Sequence, residues 1–349
     1  MHKTTLRADS SWPQNAARPR TQGFAIGLFL LKRFATFALT LLFASALIFA
    51  VLDVLPGNAA DMVLGESASA PARAALVAQL GLDTPPAARY AAWLRGIASG
   101  ELGASVSYST PVAELIRERL VVTAPLALLA MLLTSAIALT LGLFAASRHN
   151  GLGDVGVMAA SQIGIAIPNF WFAILLILLF AVKLQWFPAG GFPGWRSDDG
   201  GADGAGVWPA LKALLLPALA LAVVQAAILA RITRSAVLDV LREDFVRTAR
   251  AKGLSQRQVL WRHVLRNAFV PVLTVMGLQF ANLLTGTVVI ENVFALPGLG
   301  RLVFQAIANR DLIVVRNVVM LLAAAVIVIN FVVDVLYVVI DPRLKAHAG

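Results

Sequence analysis

Few side chains in this sequence have the type and spacing that covalent or acid–base chemistry requires. Cysteine is absent, which removes thiol nucleophiles, thiolate metal sites and disulfides. The four histidines, His2, His149, His263 and His347, are scattered rather than clustered, so no metal site built by this chain alone is expected. There is no activated nucleophile and no pair of carboxylates inside an apolar run, and hence no catalytic constellation. A Gly-x-x-x-x-Gly-Lys-Ser/Thr phosphate loop is missing. Gly298-Leu299-Gly300 follows Pro297 and lacks the strand and spacing of a dinucleotide loop, so it is read as a turn entering a short helix. The expected counts of catalytic, cofactor-binding and metal-binding residues are therefore zero. What remains is non-covalent chemistry of two kinds. Gln279, Asn282 and Thr285, with Thr287 and Gly286 nearby, place hydrogen-bonding groups in an apolar run, and the basic stretch FVRTARAKGLSQRQVLWRHVLRNAFVP fills 245–271.

The elements that must position these groups are membrane helices. The 349 residues are 59% hydrophobic and 14% charged, with a mean hydropathy of +0.79. A hydrocarbon core about 30 Å thick needs roughly 20 apolar residues per helical span. Six uncharged windows meet that length: 34–52, 120–147, 155–182, 213–230, 268–290 and 317–340, the last interrupted by Asp334. Pro125, Pro168, Pro217 and Pro271 fall in the second to fifth, where kinks are expected because neighbouring helices can re-satisfy a freed carbonyl. Ala44-Ser45-Ala46 resembles a signal-peptide cleavage site but lies mid-run, so the first span is read as uncleaved.

Charge outside the spans predicts orientation. The tail, 1–33, carries Lys3, Arg7, Arg18, Arg20, Lys32 and Arg33 against Asp9, and is placed in the cytoplasm. Segment 231–267 carries nine basic residues against Asp239, Glu243 and Asp244, and is placed there too. Segments 53–119 and 183–212 lack such an excess and fall outside, and six spans return the C-terminus to the cytoplasm. The chain's net charge of +10 lies in short loops flanking spans. Attraction to anionic membrane lipid accounts for it, and no nucleic-acid partner is expected.

The segment 53–119 is long for a connection and carries its own helix punctuation. Asp83-Thr84 precedes Pro85-Pro86, Thr110 precedes Pro111, and AARYAAWLRGIASG ends on glycine. A small helical outer subdomain is expected, either a structural cover or a wall that touches substrate or a delivery protein. The tract 190–206, GGFPGWRSDDGGADGAG, reads as a flexible outer loop.

The basic stretch parses into two short helices with a corner between them. Gly253 fits the position just past a helix end, where left-handed geometry is cheap for glycine, with Arg247, Arg250 and Lys252 near the carbonyl terminus. Ser255 and Gln258 have capping-box spacing for the next helix. Phe245, Ala249, Val259, Leu260 and Val264 give each helix one apolar side. Such a pair either lies on the membrane surface or docks on a partner protein, with small Ala249 and Gly253 permitting close approach.

These residues resemble the inner-membrane permease subunits of ABC importers of the dipeptide, oligopeptide and nickel type. The resemblance covers nearly all of the chain beyond the N-terminal tail. It is carried by RTARAKG at 247–253, REDFVRTARAKGL, RHVLRNAFVPVLT, ENVFALPGLGRL, the final DPRLK, GLDTPP near 81 and LPG at 55–57. The chain differs in having Asn58 after LPG and in its longer tail. The resemblance implies an all-α fold of the type I importer kind, with residues 34–349 forming the transmembrane domain. It further implies that Arg247, Thr248, Ala249, Lys252, Gly253 and Leu254 form a coupling helix seated on a separate ATPase subunit. The implied partners are two cytoplasmic ATPases, a homologous second permease and an extracytoplasmic substrate-binding protein. Short peptides lead as substrate; nickel chelates and glutathione are the alternatives within the family. An ion-coupled secondary transporter would need intramembrane carboxylates, for which Asp334 alone is thin support, and a non-transporting membrane scaffold is the third class.

Overall fold

The computed structural model describes residues 21–54, 71, 83–196 and 205–340. LPG at 55–57, the centre of the 190–206 tract and the final DPRLK lie outside the described residues. Those described are almost entirely helical. Helix α1 (Thr21–Val54) is followed by α2 (Pro86–Ser99), α3 (Val112–Ser147), α4 (Leu152–Ala166) and α5 (Asn169–Leu176). Then come α6 (Val207–Leu241), α7 (Asp244–Ala251), α8 (Gln256–Val259), α9 (Leu265–Val293), α10 (Leu299–Ala308) and α11 (Leu312–Ile340). Wider π turns extend α5 over Ile177–Lys183 and join α8 to α9 over Leu260–Val264. Among the described residues, five helices are long and apolar enough to cross a membrane, and α4 with α5 makes a sixth span if counted together.

That sixth span is broken, not kinked. α4 and α5 meet at 102°. The direction changes at one residue: proline disfavours the α conformation in the residue before it, and Ile167 is extended (φ −85°, ψ 125°) ahead of Pro168. Pro125, Pro217 and Pro271 instead lie inside uninterrupted helices. Two cap assignments also move by one residue, since α2 starts at Pro86 behind Pro85 and α3 at Val112 behind Pro111.

The chain packs around α6, whose most apolar stretch is 67% buried, against 11% for α1. Its main neighbour is α3. Small residues face each other along this pair: Ala138 and Gly142 on α3, Ala226, Ala230 and Thr233 on α6. A methyl group at Gly142 would collide with the Ala230 carbonyl and Thr233. Membrane helices gain little from apolar transfer between themselves and associate through such close packing. α9 packs on both α6 and α11, and α1 adds to the far side of α11. At one end of the bundle, Phe49, Trp93 and Met320 join α1, α2 and α11. At the other, Arg33 and Asp334 pair at 2.8 Å, which accounts for the single ionisable residue of the last span.

Candidate functional site

The basic stretch forms the corner its spacing predicts. α7 opens with Asp244 in its first turn and closes with Arg250 in its last, both favourable to the helix dipole. Past its end the Gly253 N–H bonds to the Arg250 carbonyl (2.9 Å) and the Leu254 N–H to that of Ala249 (3.3 Å). This is the Schellman pairing. It holds Gly253 at φ +84°, where a side chain would meet open space, so the demand for glycine here is a demand of the backbone alone. Ser255 and Gln258 then bond reciprocally, the Ser255 N–H to Gln258 Oε1 at 3.0 Å and the Gln258 N–H to Ser255 Oγ at 3.3 Å. The capping box thus closes both ends of the corner.

The structure sorts the six docking residues onto two sides. Arg247, Thr248, Lys252 and Gly253 are exposed, whereas Ala249 is buried and Leu254 half-buried against the chain's own core. The inward apolar residue of the first turn is Val246; Phe245, assigned to that side from spacing, is 40% exposed. Val246 and Ala249 pack in one cluster with Leu229 and Val237 of α6 and Ala268 and Val272 of α9. The corner's inner face therefore shares a buried cluster with residues of two spans, and its outer face is open.

The intramembrane candidates separate in the same way. Gln279 is buried with its Oε1 unpaired, whereas Asn282 and Thr285 are exposed. Leu278, Asn282, Thr285 and Val289 share one open face of α9 at helical spacing. The Thr285 hydroxyl satisfies itself on the Ala281 carbonyl (3.3 Å). An exposed asparagine on a membrane helix must face water or another polar partner, because lipid offers neither donor nor acceptor. Gln279 does not belong to that face.

Two buried polar hubs were not legible as such in the sequence. Glu291 of the ENVFALPGLGRL stretch is fully buried, accepting from the Thr123 hydroxyl (2.6 Å) and from the Gly300 N–H (2.7 Å). Thr123 in turn accepts from the Leu299 N–H at 2.8 Å. The Gly-Leu-Gly turn is thus the N-terminus of α10 locked onto α9 and α3, with no room for a methyl at Gly298 or Gly300. The second hub is Asp154, 3% exposed, held by Arg234 through Nε (2.5 Å) and Nη2 (2.6 Å). Arg234 counted as a loop residue in the charge tally because α6 runs on to Leu241, well past the apolar window ending at 230. The 190–206 tract also differs from the expected flexible loop where it is described. Gly191 N–H bonds to the Phe294 carbonyl (2.9 Å), and Trp195 Nε1 donates to that of Val121 (2.8 Å).

The geometry defines a multi-span helical membrane protein with an amphipathic two-helix corner anchored to its spans and open on one side. Residues 138–346 match the family described as binding-protein-dependent transport system inner membrane component, and 27–128 match its N-terminal companion. A putative peptide transport system permease protein of Brucella abortus is 42% identical over 316 residues, covering 90% of this chain and 98% of that protein. The dipeptide transport system permease protein DppB of Alkalihalophilus pseudofirmus is 38% identical, covering 85% and 93%. The oligopeptide transport system permease protein AppB of Bacillus subtilis is 37% identical, covering 87% and 95%. The fold is also that of an inward-facing structure of the MetNI methionine ABC transporter, with TM-score 0.53 and 18% identity over 65% of this chain and 96% of that one. The chain belongs to the binding-protein-dependent permease family. It is a multi-pass inner-membrane permease subunit of an ABC importer, with the type I fold, and works with ATPase subunits that carry the nucleotide chemistry it lacks.

Proposed function

We propose that this permease conducts short peptides, as half of a pathway shared with a second, homologous permease, and that the corner at 244–264 is where ATPase movement enters the chain. The names of relatives matched over most of their length support the substrate class. The observation that carries the coupling role is the two-sidedness of α7. Its outer face presents Arg247, Thr248 and Lys252, while Val246 and Ala249 lie in one buried cluster that also holds residues of α6 and α9. A partner that displaces the exposed face therefore displaces two spans together, including the one bearing Asn282 and Thr285. Charge bias supports a cytoplasmic position for this corner and for both termini. The subdomain within 53–119 then lies on the opposite side, where an extracytoplasmic binding protein delivers substrate.

Gly253 provides the test. A β-branched residue at φ +84° costs on the order of 1–2 kcal/mol or more, while asparagine tolerates that region. Gly253→Val is expected to lose peptide uptake and co-purification of the ATPase subunits at unchanged membrane insertion; Gly253→Asn is expected to keep most of both. Normal uptake and normal ATPase recovery in Gly253→Val would remove the docking role.

A further inference from the structure

A cavity of about 550 Å³ opens beside the corner, at the end of the bundle that carries α7. Its rim is basic on three sides. Arg148 and His149 come from the α3–α4 turn, Arg242 from the end of α6, and Arg250 from α7. No carboxylate is among its lining residues; Asp154, 3.5 Å from the His149 ring, is held in a bidentate pair with Arg234. Neither Arg242 nor Arg250 has a carboxylate partner among the described residues, and Arg148 is engaged only with the Phe144 ring, 5.5 Å from its guanidinium carbon. Behind this rim the wall is apolar, with Leu238 and Leu241 among its residues.

Three guanidinium groups around one opening repel each other unless an anion sits among them, and guanidinium forks match phosphate oxygens. A soluble anion has no use for a leucine wall. A molecule with a phosphate at one end and hydrocarbon at the other uses both, and basic pockets between spans at a membrane surface bind such headgroups. We infer that this cavity is a binding site for an acidic phospholipid, its phosphate held by Arg148, Arg242 and Arg250 and the start of its acyl chain lying along Leu238 and Leu241. The lipid would bridge the α3–α4 turn to α7 and so fix the resting position of the corner. Arg250 stands one turn from Arg247 of the proposed docking face, and binding is read on the chain alone, with no docked partner.

The experiment uses the full chain in nanodiscs of phosphatidylcholine mixed with phosphatidylglycerol, and native mass spectrometry counts the phosphatidylglycerol retained after release. Arg242→Gln with Arg250→Gln should lower the affinity on the order of tenfold or more, since each basic group near a membrane surface contributes about a factor of five. Arg148→Gln, from a different element, should lower it too. Arg262→Gln with Arg266→Gln removes the same charge from the basic stretch outside the cavity and should leave retention unchanged. Rising inorganic phosphate should not displace the lipid. Equal loss in both double variants would mean only diffuse attraction, undiminished retention in the cavity variants would mean no site, and displacement by inorganic phosphate would mean a site for a soluble anion; each result overturns the proposal.

Discussion

Replacing Glu291 by alanine should loosen the joint between α9, α10 and α3 more than any other single change at that end of the bundle. The carboxyl accepts from the Thr123 hydroxyl and the Gly300 N–H, all of them buried. Alanine leaves both donors without an acceptor, and each buried unsatisfied group costs about 1–3 kcal/mol, so the sum is about 2–6 kcal/mol. Glutamine is the informative companion. Its Oε1 can still take the Gly300 N–H, and its amide can donate to Thr123 Oγ, which has a lone pair beyond the one used by the Leu299 N–H. Only the hydroxyl's own donation is lost, at about 1 kcal/mol. Thermal unfolding of the purified chain in detergent, followed by tryptophan fluorescence, should therefore show a drop of several degrees for Glu291→Ala and less than half of it for Glu291→Gln. Thr123→Val on top of Glu291→Ala should add only the cost of the Leu299 N–H left without its acceptor, about 1–3 kcal/mol, because the hydroxyl's own bond to the carboxyl is already gone. Equal damage from alanine and glutamine, or an unchanged midpoint for alanine, would refute the view that hydrogen-bond acceptance at this carboxyl holds the turn.

Topology can be read directly because the chain has no native cysteine. Ser99→Cys should label with an impermeant thiol reagent from outside intact cells, and Ser255→Cys only after permeabilisation; labelling of both from outside would overturn the six-span arrangement and the cytoplasmic place of the corner. The purified chain should hydrolyse no ATP until ATPase subunits are added, and turnover by the isolated chain, free of contaminants, would contradict its reading as a pure permease. Arg234→Met strands the buried carboxylate of Asp154 and should cost about 3–5 kcal/mol, whereas Arg234→Met with Asp154→Leu should recover most of that loss; a double variant as unstable as the single one would show that the pair does more than neutralise itself.

How much of this was legible in the sequence depended on whether the cause was local. The corner at Gly253 was fully readable, because a Schellman glycine and a Ser-x-x-Gln capping box are each decided within six residues of chain. Spans were readable by hydropathy, though their ends were not, since α6 continues as a helix into polar residues that membrane-scale hydropathy cannot include. The break at Pro168 and the unbroken run through Pro217 carry the same local signal and differ in outcome. What surrounds each helix decides, and a single sequence does not display it. Glu291 and Asp154 stayed hidden for a related reason: their partners, Thr123 and Arg234, lie 168 and 80 residues away. An acid six residues before a Pro-Gly-x-Gly turn was the one available hint for Glu291. The assignment of Phe245 to the inner face failed by a single position, which a helix of eight residues is too short to correct by periodicity.

The placement of the two hubs constrains how motion can travel through the chain. Asp154 clamps the start of α4 to α6 near the corner, and Glu291 clamps α10 to α9 and α3 at the far end. Between them, α3 and α6 touch backbone to side chain at Gly142, leaving little slack for sliding. Close-packed elements of this kind resist compression and transmit strain to one another. The places that can yield are those without such clamps: the 102° bend between α4 and α5, and the lightly buried α1. If α7 has the coupling role proposed above, a push on its outer face would reach α6 and α9 through the cluster that Val246 and Ala249 share with them, and the α3–α6 pair would follow. The relative movement must be taken up at the bend beside Pro168, where Asn169 lies against Gly286 of α9, one residue beyond Thr285.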